Sequence, residues 1–444
     1  MRHMSCTSHE MGTLNPGINL NATPMNPSDN SRDRAGFTLV ELMVSVTILV
    51  LLLSIMLTIT NQTSKVWRNT TSKAEQFREA RDAFESMTRQ ISQATLNTYW
   101  GYQFDVANTT KPTQYIRQSD LRFASGSMQY GTGLSASGSA SQTVRPTHGV
   151  FFQAPLGFVA PSTPGDTQWL DSAGLEDVLN TWGYYLEVGS DLTPSSNLRP
   201  SFLPSTVVPA RVRSRLMELM LSANSNAIYQ YTQLANPVSA NQNFDWFRKA
   251  LDPTGNTSSS TVRPVHVLAE NIIALVILPK LSKKDMDTIN TTAGASLNDY
   301  SLAPNYLYDS NTQGQDTLPA RTQPSLGNLA MRALNTKNQL PPVLRVTMVA
   351  IDEQSASRLG QMDPTSDDPF RLKTAFQQAS SYNAEMFTTN GDVSASLEAR
   401  LINANTSQST IKVNGNTARV PINYRIFTTD VSIRAAKWSE SQTN

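Results

Sequence analysis

A single carboxylate, Glu41, interrupts the start of the most apolar stretch of this 444-residue chain. Residues 42 to 64 carry no charge, and twelve positions between Leu42 and Thr60 are Leu, Ile or Val. A carboxylate in such surroundings costs roughly 3 kcal/mol at the centre of a bilayer and less near its edge, so it needs a cationic partner. The chain can make one for itself. Hydrolysis of the Gly36–Phe37 bond would free an α-ammonium on Phe37, four residues from Glu41. Within one helix, or between neighbours in a bundle, that ammonium would pair with the carboxylate in a low dielectric. The chemistry this predicts is one cleavage and one ion pair.

Other chemistry-bearing residues have simpler readings. Asp363, Asp367 and Asp368, in DPTSDDP, could offer oxygen ligands to calcium. Their spacing departs from the twelve-residue EF-hand loop, and two prolines already account for a turn. His266 and Glu270 lie four apart on an expected strand, about 13 Å along it, too far for direct acid–base work. The four histidines are scattered, and the lone Cys6 excludes both a disulfide scaffold and a cysteine zinc site. GTGLSASGSAS is neither a phosphate loop nor a nucleophile elbow. Trp182, Tyr184 and Tyr185 default to core packing. No enzyme is expected, and no cofactor.

The elements that must position Glu41 follow from the same stretch. Phe37 to Ile59 provides 23 positions, enough to cross a bilayer once. Its Leu, Ile and Val residues supply roughly −5 kcal/mol on the insertion scale. Arg32 and Arg34 precede the span and no Lys or Arg follows until Lys65, which puts the N-terminus in the cytoplasm. A cleaved secretory signal would have a shorter apolar core and a small-x-small site after it. No Gly or Pro occurs from Phe37 to Trp100, which predicts one continuous helix, roughly 90 Å long, between Gly36 and Gly101. Its outer half carries an apolar stripe of Phe77, Ala80, Phe84, Met87, Ile91 and Ala94 that should pack on a sheet.

The run Arg34-Ala35-Gly36-Phe37-Thr38-Leu39-Val40-Glu41 resembles the prepilin cleavage and methylation motif of type IV pilins and type II secretion pseudopilins. The resemblance implies that a prepilin peptidase cuts after Gly36 and methylates the Phe37 amine. It implies that Glu41 sets the register of each subunit in a helical filament. It also implies an α+β, pilin-like fold, with a long N-terminal helix on an antiparallel sheet. Some pseudopilin heads bind calcium, so the resemblance makes Asp363, Asp367 and Asp368 weak calcium candidates. The blocks AENIIALVILP, PPVLRVTMVAIDEQSASRL and YRIFTTDVSIRAAKW resemble the larger J-type minor pseudopilins and a cassette-C pilin-like family of verrucomicrobial bacteria. A 36-residue leader is long for such proteins, and Met4, Met11 and Met25 are alternative starts.

The expected organisation is then a leader over 1–36, a membrane-spanning half-helix over 37–60 and an amphipathic half over 61–100. An inserted mixed region over 102–258, a β-rich head over 259–438 and a tail over 439–444 follow. Strands are expected at Gly149–Val159, Trp182–Val188, Val265–Leu278, Val343–Ile351 and Tyr424–Ile433. Arg211–Leu221 and Phe244–Leu251 read as short helices. Gly126–Ser141 and Leu281–Gln339 read as loops.

Composition narrows the function classes. With 36 Lys+Arg against 35 Asp+Glu there is no field to attract phosphates, so nucleic acid is not an expected partner. The resemblance implies a minor pseudopilin working by assembly. Its partners would be the prepilin peptidase, other pilin-like subunits, an inner-membrane assembly platform and membrane lipid. It would cross the bacterial inner membrane once, with a periplasmic head. A mature chain of 408 residues, 444 minus 36, is bulky for a repeating subunit and favours a tip or rare position. Two other classes remain open: an exported adhesin or substrate-capture module on a pilin stem, and a signal-anchored periplasmic protein.

Overall fold

The computed structural model describes residues 36, 38–104, 111–128, 145–157, 178–190, 212–223, 244–251, 263–285, 307–311, 337–362 and 423–437, with a few single positions between them. The chain divides into two compact units, Met1–Trp67 and Arg68–Asn444. Helix α1 (Leu39–Ile91) is 53 residues long and is followed by antiparallel strands, an α+β architecture consistent with a pilin-like fold. The strands are β1 (Tyr99–Phe104), β2 (Pro112–Gln118), β3 (Ala124–Ser127), β4 (His148–Pro155), β5 (Leu179–Ser190), β6 (Val212–Leu221), β7 (Val265–Glu270), β8 (Ile272–Lys280), β9 (Tyr308–Asp309), β10 (Val343–Ile351) and β11 (Tyr424–Ser432). Two short helices, α2 (Asp245–Leu251) and α3 (Glu353–Met362), complete the described elements.

In the second unit, the C-terminal half of α1 buries the stripe expected from its spacing. Ala80, Ala83, Phe84, Met87 and Ile91 are all buried, because steps of three and four residues return to one helix face. Phe84 meets Phe427 of β11 with ring centroids 5.9 Å apart, and Arg425 lies 5.6 Å from the Phe77 ring. The helix stops at Ile91, nine residues before the expected end at Trp100. Neither Gly nor Pro ends it. Thr95 instead bridges to Gln153 of β4, donating its N–H to the Gln153 carbonyl at 2.9 Å. Asn97 Oδ1 accepts the Asp120 and Leu121 amides. Asn and β-branched Thr compete with the helix for backbone hydrogen bonds, and the sheet wins.

The described strands of this unit form three sheets. A three-stranded sheet runs β11-β10-β8, a six-stranded sheet runs β7-β6-β5-β4-β3-β9, and β1 and β2 form a separate ribbon. Within the larger sheet, β3 to β6 precede residue 258 and β7 and β9 follow it. On one face Phe151 of β4 stacks on Phe247 of α2, with centroids 3.7 Å apart and planes 7° from parallel.

Four further sequence expectations need correction. Arg211–Leu221 is not a helix: it forms β6, paired with β5 on one side and β7 on the other. Its Leu, Met, Glu and Arg favour a helix weakly, and two ladders override that preference. The expected strand Val265–Leu278 is two strands. Asn271, at φ 61°, breaks it, sending β7 to the large sheet and β8 to the small one. Asn tolerates this left-handed backbone better than its apolar neighbours would. The loop expected over Gly126–Ser141 begins inside β3. The loop expected over Leu281–Gln339 contains β9, where Tyr308 and Asp309 are buried against β3.

The two larger sheets meet at the outer edge of β8. Thr147 Oγ1 accepts the Leu275 amide at 3.3 Å, and His148 Nδ1 accepts the Ile277 amide at 3.2 Å, so side chains cover an otherwise open strand edge. Accepting that amide requires a neutral imidazole, and burial pushes the His148 pKa down to about 4. The unfolded chain therefore takes up this proton first as pH falls. Stability should drop by about 3 kcal/mol between pH 6.5 and pH 4. Urea unfolding across that range should show the loss, and His148→Gln should flatten it.

Candidate functional site at the start of the apolar helix

The first unit contains the residues that the sequence marks for processing. Gly36 is exposed, and a Cβ built on it would meet nothing within 4 Å. Phe37 lies outside the described residues. Thr38 caps α1: its Oγ1 accepts the Glu41 amide at 3.3 Å, and its carbonyl accepts the Leu42 amide at 3.1 Å. The Thr38 hydroxyl also approaches Glu41 Oε2 at 3.4 Å. Thr-x-x-Glu is the sequence signature of a capping box. Glu41 thus has a role within its own chain, at a helix N-terminus where a carboxylate is favoured. The Thr38-Leu39-Val40-Glu41 run carries that signal in the sequence itself.

Beyond Glu41 the surface of the helix is hydrocarbon. Leu39, Val40, Leu42 and the other large apolar side chains through Ile59 are exposed, by 48% to 75%. The most apolar 18-residue window has mean hydropathy 2.8 and no buried residue. Among the described residues this is the one helix long and apolar enough to cross a membrane. Its hydroxyls fold back onto the helix. Ser45, Thr47, Thr58 and Thr60 each donate to a carbonyl three or four residues earlier, at 2.8 Å. In lipid these bonds satisfy groups that water would otherwise serve.

Among the described residues, the remaining candidates do not form a reaction centre. Asp363, Asp367 and Asp368 lie outside the described residues. Among the described ones, no group of three or more His, Cys, Asp or Glu could hold a metal. His266 and Glu270 take separate places on β7, His266 opposite Glu218 and Glu270 within 3.5 Å of Arg215. Tyr184 donates to Glu218 at 2.8 Å, and burial pushes the Glu218 carboxyl above its usual range. Trp182, Tyr184 and Tyr185 are buried core residues, as expected. A buried ion pair on the large sheet is structural: Arg263 donates two hydrogen bonds to Glu187, at 2.9 and 3.0 Å.

Comparison with known proteins gives one match, at this end of the chain. Residues 31–57 match the prokaryotic N-terminal methylation motif. No curated protein matches the chain, and no solved structure does. The motif implies processing by a prepilin peptidase and assembly with other pilin subunits, which is structural rather than enzymatic work. An exposed apolar helix beginning within the matched residues is consistent with a membrane anchor. The match thus supports a pilin-like protein, with the methylation motif leading into α1.

Proposed function

We propose that this chain is a minor pilin-like structural subunit. A prepilin peptidase cuts it after Gly36 and methylates the amine of Phe37. It then passes from the bacterial inner membrane into a pseudopilus or pilus-like filament through α1, and its head lies outside the cytoplasm. The observation that carries this reading is the methylation motif running into a helix that is uncharged from residue 42 to residue 64, with one carboxylate near its start. Burial of the apolar helix among its neighbours replaces lipid contacts. The freed ammonium of one chain pairs with Glu41 of the same or a neighbouring chain. The large head favours a low-copy position.

Mass spectrometry of the N-terminal peptide from native membranes tests the first step. A chain starting at N-methylated Phe37 supports the reading; an intact leader in cells with a working prepilin peptidase overturns it. Glu41→Leu tests the second step. Cleavage should continue, because the cut bond lies outside the helix. Incorporation into a sheared filament fraction should fall about tenfold or more, the scale expected for losing a desolvated ion pair. Thr38→Ala removes only the cap, at about 1 kcal/mol, and should leave most of the assembly intact.

A further inference from the structure

An exposed aromatic side chain stands on α1 just past the apolar span. Among the described residues of this helix, the large apolar side chains left exposed run from Leu39 to Ile59. They recur only at Val66 and Trp67, which are 64% and 73% exposed. Six polar residues, Thr60 to Lys65, separate the two groups. Lys65 is the first cation after Arg34, and Arg68 is the next. The spacing gives this pair a depth. At 1.5 Å per residue, Leu39 to Ile59 rises about 30 Å, the thickness of a bilayer's hydrocarbon. Trp67 stands eight residues, or roughly 12 Å, beyond Ile59. Helical side chains lean back over the preceding turn, which brings the indole to within about 7 Å of the hydrocarbon, the thickness of one headgroup layer.

What surrounds the pair has no preferred side. Successive helical residues turn by about 100°, so Lys65, Val66 and Trp67 point three ways around α1. The six consecutive apolar side chains from Ile48 to Leu53 are likewise exposed in every direction. A partner protein covers one stripe of a helix, whereas a lipid layer encloses it. The side chains also suit that layer. An indole has an apolar body and one N–H donor, and a lysine stem lies along hydrocarbon while its ammonium reaches phosphate.

We propose that Val66, Trp67 and Lys65 form an anchor in the glycerophospholipid headgroup layer, at the end of the span away from Glu41, and fix how deep the stem sits. This inference rests on the membrane-anchored subunit reading and adds a lipid contact to it. The anchor holds the helix against sliding along the bilayer normal, and passage into a filament has to break it.

The experiment uses the full chain in vesicles of phosphatidylethanolamine and phosphatidylglycerol, brominated either near the headgroup or near the ends of the acyl chains. Emission lost in Trp67→Phe separates Trp67 from the other five of the six tryptophans. Shallow bromines should quench that difference several-fold more than deep ones. No quenching, as for an indole in water or packed on another copy, overturns the anchor, and so does stronger quenching by deep bromines. A second measurement tests whether the contact fixes depth. Gln62 lies about 140° around the helix from Trp67, so the indole does not cover it. In a Cys6→Ser background, alkylation of Gln62→Cys by a water-soluble maleimide should rise several-fold when Trp67→Ala is added. Trp67→Tyr, which keeps an amphipathic ring, should hold the rate near its starting value. An unchanged rate in Trp67→Ala also sinks the idea. Leu49→Trp in the Trp67→Phe background keeps this inference apart from the reading beneath it. Deep quenching of Leu49→Trp with none of Trp67 removes the anchor and leaves the membrane span standing. No quenching of Leu49→Trp by any of the lipids removes span and anchor together.

Discussion

Asp352→Ala should cost the head about 4 kcal/mol and loosen α1 from it, because one buried carboxylate ties three elements together. Asp352 is fully buried at the N-terminus of α3. It accepts the Ser355 amide at 2.9 Å as a helix cap, Asn423 Nδ2 at 2.9 Å just before β11, and Lys73 Nζ of α1 at 3.2 Å. The adjoining Glu353 amide donates to Gln76 of α1 at 2.9 Å, so two successive residues hold the helix. Burial disfavours the charged form, but bonds from Ser355, Asn423 and Lys73 outweigh it and hold the carboxyl below its usual range. The folded state therefore binds this proton less readily than the unfolded state. The stabilisation is complete above about pH 4 and fades as pH falls through the lower folded value. This acid loss lies below the His148 window, so acid unfolding should show two successive losses of stability. Asp352→Asn keeps an acceptor for the cap and should cost about half as much. Urea melts of the three proteins, with hydrogen exchange on residues 73–91, would check the ranking. Equal stability of wild type and Asp352→Ala would show that the node is incidental.

Gly183→Ala should cost about 3 kcal/mol or more through overpacking. A Cβ at Gly183 would stand 2.2 Å from Cδ1 and 2.5 Å from Cε1 of Phe151. That ring cannot retreat, since Phe247 lies stacked against it at 3.7 Å and Trp246 meets it edge-on at 6.5 Å. The glycine is needed for the close approach of an aromatic ring to the strand. Phe151→Leu should cost stability alone but partly rescue Gly183→Ala, a coupling of about 1–2 kcal/mol in a double-mutant cycle. Simple additivity would refute this account.

The parts of the fold that could be read from sequence were those written into one continuous segment. The apolar run after Glu41, the stripe from Phe77 to Ile91 and the alternation in Val343–Ile351 each announce an element without reference to the rest of the chain. The parts that could not be read depend on remote partners. β3, with the sequence Ala-Ser-Gly-Ser, has no strand signal of its own and exists because β4 and β9 flank it. β6 looks helical until β5 and β7 are placed beside it. The candidate site followed the same division. The methylation motif is contiguous and visible, whereas the Tyr184–Glu218 bond and the place of His266 opposite Glu218 appear only when β5, β6 and β7 pair.

Asn271 has a consequence for how the head comes apart. It is the sole residue between β7 and β8, which belong to different sheets, and its carbonyl accepts the Ile351 amide at 2.9 Å while its side chain donates to Glu353 at 2.8 Å. No slack separates the sheets at this point, so peeling β8 from β10 drags directly on the β6–β7 ladder. Force or denaturant should therefore meet one cooperative body instead of two beads on a string, and a partly opened head, with bare strand edges, would be short-lived.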